Sequence, residues 1–256
     1  MEQTTLTLFF GALVGLSLGL VGGGGSILTV PILVYALGES VHLATGTALA
    51  IVGANALIGA WEHRRAGRVR LPVALVFGGA GILGAFAGSW LNHLAPERLV
   101  LLGFALLMLA AATAMARLRL RERLAGSAGA HLSPRVMLAG LSVGVLTGFF
   151  GVGGGFLIVP ALVLVLGLPM REAVGTSLLI IAINSAAALA GHLRFGGIDP
   201  GVTLLFIIGG AAGSILGSRL AGHVDERRLR QGFAALTLLV AAYILAHTLF
   251  GPARLA

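Results

Sequence analysis

The sequence contains no cysteine and no lysine, and it has few charged residues of any kind. Without cysteine, disulfide bonds, thiolate metal sites and thiol chemistry are all excluded. Charged residues make up 10 % of the 256 residues, whereas a soluble domain carries about 25 %. So little charge could not cover the surface of a soluble protein of this length.

Long apolar runs replace the missing charge: hydrophobic residues make up 57 % of the chain, and the mean hydropathy is +1.01. About 20 apolar residues in a helix cross a ~30 Å hydrocarbon core. The sequence therefore predicts an all-α, multi-pass protein of the cell inner membrane rather than a soluble protein with a very apolar core. The predicted spans are Val41–Trp61, Leu71–Leu91, Leu99–Ala116, Ala173–Gly191, Pro200–Ser218 and Gln231–Phe250.

The chain also repeats itself at one constant offset. The segment Gly11–Gly38 resembles Gly140–Gly167, and Pro31 pairs with Pro160, which gives an offset of 160 − 31 = 129. The same offset pairs Gly25 with Gly154, Thr47 with Thr176, Asn55 with Asn184, His63 with His192, Gly88-Ser89 with Gly217-Ser218, and Gly103-Phe104 with Gly232-Phe233. A duplicated membrane half whose apolar segment is interrupted at the same place in each copy points to a transporter site.

The duplication divides the chain into a first membrane repeat at 1–116, a basic cytoplasmic linker at 117–135 and a second membrane repeat at 136–256. The piece of each repeat that contains the glycine cluster is broken into two parts, each too short to cross the bilayer comfortably. These parts are Leu6–Val21 and Ile27–Leu37 in the first repeat, and Val136–Phe150 and Phe156–Leu166 in the second.

Two topologies follow, depending on whether each broken piece is a discontinuous crossing or a re-entrant hairpin. Full crossings give parallel repeats, with about 11 arginines on one side and 6 on the other. Re-entrant pieces give three full crossings per repeat and inverted repeats, with about 14 arginines on one side and 3 on the other. Because arginine concentrates on the cytoplasmic side, we expect inverted repeats with both termini outside. The arginines thus indicate orientation in a lipid bilayer, not a nucleic-acid partner.

The glycine clusters at 22–25 and 151–155 are the strongest candidates for a binding site. Non-helical backbone at membrane depth is tolerated only inside protein or beside a wet cavity, and a helix that resumes after glycine presents free N–H groups to an anion. Neighbouring hydroxyl and amide side chains could add polar contacts. The predicted substrate-binding residues are Gly24, Gly25, Ser26, Thr47, Asn55, Gly153, Gly154, Gly155, Thr176, Ser177 and Asn184.

Each of these features also has a plainer structural interpretation. The glycine clusters could serve close helix packing, the hydroxyls could cap helices, and the amides could bond neighbouring helices. Glycines spaced by four, at Gly11, Gly15 and Gly19 and again at 140, 144 and 148, are better explained by packing. A dinucleotide-binding fingerprint is a weak alternative, because no βαβ pattern flanks the glycines.

Catalytic chemistry is poorly represented in the sequence. The carboxylates Glu39, Glu62, Glu97, Glu172 and Glu226 all fall near the ends of predicted segments. No cluster has the spacing of a metal site or of a nucleophile with its base. We therefore expect neither an enzyme nor a cofactor or metal.

The paired pattern G-x₃-G-x₃-G…G-x-G-G-[GS]-x₄-P-x-L, followed by A-x-G-T-[AS], resembles the sulfite exporter TauE/SafE family of membrane transporters through both copies. The two copies differ at Gly23, which pairs with Val152, and at Ser26, which pairs with Gly155. The resemblance implies a small anionic substrate, such as sulfite, an organosulfonate or a related sulfur oxyanion, exported by alternating access. An anion channel with the same site is the first alternative, and an intramembrane enzyme is the second.

Overall fold

The computed structural model describes residues 2–92, 96–117, 134–150, 155–193 and 197–250, and every regular element in these ranges is helical. Ten α-helices follow one another, and α2 continues into a π-helical turn at Ile32–Ala36. They are α1 (Glu2–Val21), α2 (Gly24–Pro31), α3 (Val41–Arg65), α4 (Leu71–Asn92), α5 (Glu97–Arg117), α6 (Pro134–Phe150), α7 (Gly155–Leu164), α8 (Met170–His192), α9 (Pro200–His223) and α10 (Glu226–Phe250).

The glycine cluster of the first repeat breaks the helix where the sequence predicts. Helix α1 ends at Val21, and Gly22 has a φ of +85°, in the left-handed region that glycine tolerates best. Helix α2 resumes at Gly24. In the second repeat, α6 ends at Phe150 and α7 begins at Gly155. The predicted site residues Gly153 and Gly154 lie outside the described residues.

Among the described residues, six helices are long and apolar enough to cross a membrane: α1, α3, α4, α8, α9 and α10. This confirms the all-α membrane class but corrects one expectation. Helix α1 has 20 residues, because it begins near the amino terminus instead of at Leu6, so length alone does not prevent it from crossing. Helix α5 has 21 residues and contains the apolar run Leu99–Ala116.

Glycines let the first helix of each repeat lie against a helix of the other repeat. A side chain at Gly15 would overlap the Gly210 backbone, so α1 and α9 touch through their main chains. The equivalent glycine, Gly144, meets Gly81 in the same way and joins α6 to α4. Close approach of this kind is what small residues permit in membrane helices. The packing role predicted for glycines spaced by four is thus confirmed.

Helices α3 and α8 are equivalent in the repeat, and they lie side by side in opposite directions. Gly53 of α3 lies against Ser185 of α8, whereas Gly59, further along α3, lies against Leu178, earlier in α8. Contacts elsewhere are also duplicated at the offset of 129. The Asp199 N–H donates to Thr47 Oγ1 at 3.0 Å, and the Arg70 N–H donates to Thr176 Oγ1 at 3.0 Å.

These antiparallel helices define two ends of the bundle. We call one the arginine end; it contains the segments 62–70, 170–172 and 218–224. We call the other the aspartate end; it contains the segments 39–47, 191–193 and 197–200. Because α6 runs parallel to α4, with Gly140 against Phe77 and Gly148 against Ala85, α6 begins at the arginine end.

Candidate functional site

The two helix breaks meet where the repeats face each other. A side chain at Gly23 would overlap the Gly155 carbonyl, and a side chain at Gly155 would lie 2.5 Å from Ser26 Oγ. Ser26 and Gly155 are equivalent residues of the two repeats, so this contact lies near the pseudo-symmetry axis that relates one repeat to the other. Ser26 Oγ donates to the Gly23 carbonyl at 2.8 Å. Three predicted or neighbouring break residues are therefore brought into one place.

Ser177 belongs to the same region. It is fully buried, donates to the Val174 carbonyl at 2.8 Å, and lies 2.6 Å from where a side chain at Gly22 would begin. Gly22 also faces the Val159 side chain of α7. The break in the first repeat is consequently enclosed by α7 and α8 of the second.

The arrangement suits a small anion that is recognised by backbone groups. The first N–H groups of any α-helix have no partner within that helix and carry partial positive charge. Both α2 and α7 begin at the meeting point, with Gly24 and Gly25 in the first turn of α2 and Gly155 at the start of α7. Two helix N-termini converge there, and among the described residues that contact them there is no carboxylate, which favours anion chemistry.

Thr47 and Thr176 do not join this meeting point. Both are fully buried, and each hydroxyl accepts the backbone N–H of a loop residue in the other repeat. They lie at opposite ends of the antiparallel pair α3 and α8, roughly 20 Å apart by the helical rise. One small anion could not contact both, so their described role is to join the repeats.

Asn55 and Asn184 lie near the middle of α3 and α8, but their side chains point toward other helices. Asn55 is fully buried, and its amide covers Gly210 of α9; Asn184 is half-buried and faces Gly81 of α4 more loosely. Within the described part of the chain, neither amide atom of Asn55 has a hydrogen-bond partner, and Asn184 Oδ1 has none either. These are buried polar groups with unused bonding capacity.

At the arginine end, two ion pairs join neighbouring helices. Arg70 Nε lies 2.7 Å from Glu172 Oε2, with a second bond from Nη2 at 3.2 Å, and Arg219 Nε lies 3.5 Å from Glu62 Oε2. The Glu172 carboxylate raises the pKa of the Arg70 guanidinium. Each exposed ion pair of this kind contributes about 0–1 kcal/mol to the stability of the fold, so the two pairs matter mainly through their combined effect.

Three further contacts at the arginine end involve backbone carbonyls. Arg68 Nη1 donates to Ser218 O at 3.2 Å, and Arg171 Nη2 donates to Val224 O at 3.0 Å. Cations that bind the last carbonyls of a helix also interact favourably with its dipole. Burial, followed by the charge of Arg171, lowers the pKa of the Arg68 guanidinium. The fully buried His63 completes the set, because its Nε2 donates to Gly19 O at 3.0 Å.

The equivalent positions at the aspartate end carry different residues. Arg68 corresponds to Gly197, Arg171 to His42, Glu172 to Leu43, Glu62 to Gly191 and Arg219 to Trp90. His63 does have an equivalent, His192, but within the described residues His192 Nε2 has no hydrogen-bond partner. The duplicated threonine contact is therefore common to both ends, and the five additional contacts belong to the arginine end.

A carboxylate marks the aspartate end instead. Burial raises the pKa of Glu39, and the nearby charge of Asp199 raises it further. Both effects favour the neutral form of the Glu39 carboxyl. The negative charge that Glu39 contributes to this end therefore depends on pH.

Burial differs between the two ends in the same direction. At the arginine end, Gly59, His63 and Ser218 are buried, whereas their equivalents Ala188, His192 and Ser89 are exposed or half-buried. The short helices follow the same trend, since Pro160 of α7 is buried and its equivalent Pro31 of α2 is exposed. Several matched residues are therefore more buried at the arginine end, although Gly46 and Gly88 bring main chains equally close together at the aspartate end.

Sequence reasoning missed the side-chain contacts of the arginine end. A signal for them was present, because each charged residue of the ion pairs and arginine–carbonyl bonds occupies a position at which the two repeats differ. A search restricted to the residues that match between the repeats does not find these contacts. Among the described residues, no group of three or more His, Asp or Glu residues could hold a metal ion.

Comparison with known proteins agrees with this architecture. The family model described as "Sulfite exporter TauE/SafE" matches residues 7–244. The chain belongs to the sulfite exporter TauE/SafE family. A "Probable membrane transporter protein" of Xylella fastidiosa (strain 9a5c) is 36 % identical over 251 residues, which cover 95 % of each chain.

More distant relatives carry similar names. "Probable membrane transporter protein YdhB" of Bacillus subtilis (strain 168) is 29 % identical over 236 residues, which cover 91 % of this chain and 96 % of YdhB. "Probable membrane transporter protein MJ0441" of Methanocaldococcus jannaschii is 25 % identical over 240 residues, 88 % of this chain and 89 % of the relative. No solved structure matches significantly. Family membership and helix composition together make this a multi-pass membrane protein of a transporter family.

Proposed function

We propose that this protein exports a small sulfur oxyanion or sulfonate, such as sulfite, across the cell inner membrane by alternating access. The observation that carries the proposal is the contact of Gly23 and Ser26 with Gly155, where two helix N-termini converge. A small tetrahedral or pyramidal anion fits a site built from backbone N–H groups. The family description, "Sulfite exporter TauE/SafE", favours sulfur anions over other anions of this size.

The binding site in this proposal consists of Gly24, Gly25, Ser26, Gly155 and Ser177. The predicted residues Gly153 and Gly154 complete it from the second repeat by equivalence with Gly24 and Gly25. Asn55 and Asn184 would lie in the second layer, where their unused amide groups could bond water or the arriving anion. Thr47 and Thr176 would hold the repeats together.

The repeats are inverted in this proposal. Helices α3 and α8 are equivalent, antiparallel and both long enough to cross, so the axis relating the repeats would lie in the membrane plane. Helix α1 runs parallel to α3, because Gly15 and Asn55 both meet Gly210, and further along each helix Gly19 and Gly59 both face Ser218 Oγ. The chain therefore returns through α2 to the side on which α1 began, as a re-entrant piece does. The arginine end would face the cytoplasm.

Access would alternate between the two ends of the bundle. The greater burial of matched residues at the arginine end supports a state in which the anion site would open toward the aspartate end and thus toward the outside. If the two repeats exchanged these packing arrangements, the arginine end would open and the aspartate end would close. The five contacts at the arginine end would break in that exchange.

Transport by the purified protein in liposomes tests the proposal. We expect saturable uptake and counterflow of sulfite or another sulfur anion from a panel of sulfite, sulfate, thiosulfate, sulfoacetate and simple carboxylates. Absence of flux for every sulfur anion, from protein that is inserted and folded, would contradict the substrate class. Flux that neither saturates nor shows counterflow would support the anion channel instead.

A further inference from the structure

A groove of about 530 Å³ opens on the outside of the bundle near the arginine end. Its walls come from α3, α8, α9 and the loop after α3, and they are mostly apolar. The lining residues include Leu57, Ile58, Trp61, Leu179 and Ile215. A volume within the range of ligand sites, about 300–1,000 Å³, and apolar walls on a lipid-facing surface suit an acyl chain.

Arginines surround the mouth of this groove. Arg64 lines it, and the Arg65 guanidinium lies 5.3 Å from the centre of the Trp61 ring, in a cation–π arrangement. Arg219 pairs with Glu62, which also lines the groove. Three arginines against one glutamate leave a net positive mouth above an apolar slot.

We propose that an anionic phospholipid of the cytoplasmic leaflet binds in this groove, with one acyl chain along Leu57 and Ile215 and its phosphate at Arg64 and Arg65. Basic pockets between membrane helices on the cytoplasmic side bind anionic headgroups, and tryptophan is enriched at this depth. The side assignment rests on the proposed orientation of the arginine end.

The second repeat supplies an internal comparison. At the positions equivalent to Trp61 and Arg64 it carries Ala190 and Leu193, and Ala186 stands in the place of Leu57. The aspartate end thus lacks the tryptophan, one arginine and one large apolar wall residue of the groove. Recognition of an anionic lipid is therefore expected at one end only.

Native mass spectrometry of the detergent-solubilised protein tests binding without reference to transport. Phosphatidylglycerol should be retained in preference to phosphatidylethanolamine. The double variant Arg64→Gln/Arg65→Gln should weaken phosphatidylglycerol retention by roughly thirtyfold, the order expected for two lost arginine contacts near a membrane surface. The matched control Arg227→Gln/Arg228→Gln removes the same charge from exposed positions at the same end and should change retention by less than about twofold.

Tryptophan fluorescence gives a second measurement that does not depend on those variants. The chain has two tryptophans, so Trp90→Phe leaves Trp61 as the only one, and Trp61→Phe leaves Trp90. Phosphatidylglycerol with brominated acyl chains should quench Trp61 more strongly than brominated phosphatidylethanolamine does, whereas Trp90 should show no headgroup preference. Equal retention of the two lipids, equal losses in both double variants, or equal quenching of the two tryptophans would overturn the proposal. The lipid-retention and quenching results do not depend on transport, so a failure of the proposed transport function would leave them unchanged.

Discussion

The arginine end and the aspartate end are built from equivalent helices, yet among the described residues they differ in burial and in side-chain contacts. The Thr176–Arg70 contact at the first end and the Thr47–Asp199 contact at the second are the same bond repeated. Within the described residues, ion pairs, arginine–carbonyl bonds and the His63–Gly19 bond are then added at the arginine end. The duplicated residues account for the shared fold, and charged residues that differ between the copies account for most of the contacts described at one end.

The largest expected effect comes from filling the point where the repeats meet. Gly155→Leu should abolish transport, because a side chain there would collide with Ser26 and Ile181. Gly79→Leu is the matched control, since no atom lies within 4 Å of the position of its added Cβ, and it should retain most activity. Initial rates of anion uptake, normalised to inserted protein, measure both. Similar losses in the two variants would show that the meeting point has no special role.

A smaller effect is expected from loosening the arginine end. Arg68→Ala removes the bond to the Ser218 carbonyl, worth about 1 kcal/mol after allowance for its partial exposure. The open population of this end should rise roughly fivefold. Hydrogen–deuterium exchange at 218–224 should accelerate, while exchange near 197–203 should stay unchanged. Arg228→Ala, at an exposed position of the same end, serves as the control. Equal acceleration in both variants would rule out a specific contact.

The smallest effect concerns pH at the aspartate end. Burial and Asp199 raise the pKa of Glu39, so the neutral carboxyl is favoured below that pKa and its charge appears as pH rises through it. The charged Glu39 carboxylate repels both an entering anion and the neighbouring charge of Asp199. Uptake of a strong-acid sulfonate should therefore fall about two- to threefold as external pH rises. Glu39→Gln should remove this dependence. An unchanged pH profile in Glu39→Gln would contradict the assignment.

Much of the architecture could be predicted from the sequence, because helix length, glycine breaks and a fixed repeat offset are local patterns. The break after Val21, the packing of Gly15 and the helical class all follow from those patterns. The apolar pattern predicts a start for α1 at Leu6, whereas the helix begins at Glu2. Apolar periodicity does not show how far a helix extends into polar residues. Gly153 and Gly154 remain predictions.

The candidate site was only partly predictable. Ser26 and Gly155 could be chosen for their place at the breaks, but no local pattern shows that they contact each other. Thr47 and Thr176 were chosen for their hydroxyls, and tertiary contacts with Asp199 and Arg70 use those hydroxyls elsewhere. Long-range pairing of this kind depends on how the two repeats pack against each other, which no single segment encodes.

The most direct test of the account compares the two ends through one equivalent pair of serines. Ser218 is 2 % exposed at the arginine end, and Ser89 is exposed at the aspartate end. Because the chain has no cysteine, Ser89→Cys and Ser218→Cys each introduce one reactive thiol. A membrane-impermeant maleimide added outside intact cells should label the Ser89→Cys variant and leave the Ser218→Cys variant unlabelled until the protein is denatured. Equal labelling of both variants, or labelling of the Ser218→Cys variant alone, would contradict an anion site that opens outward from the aspartate end.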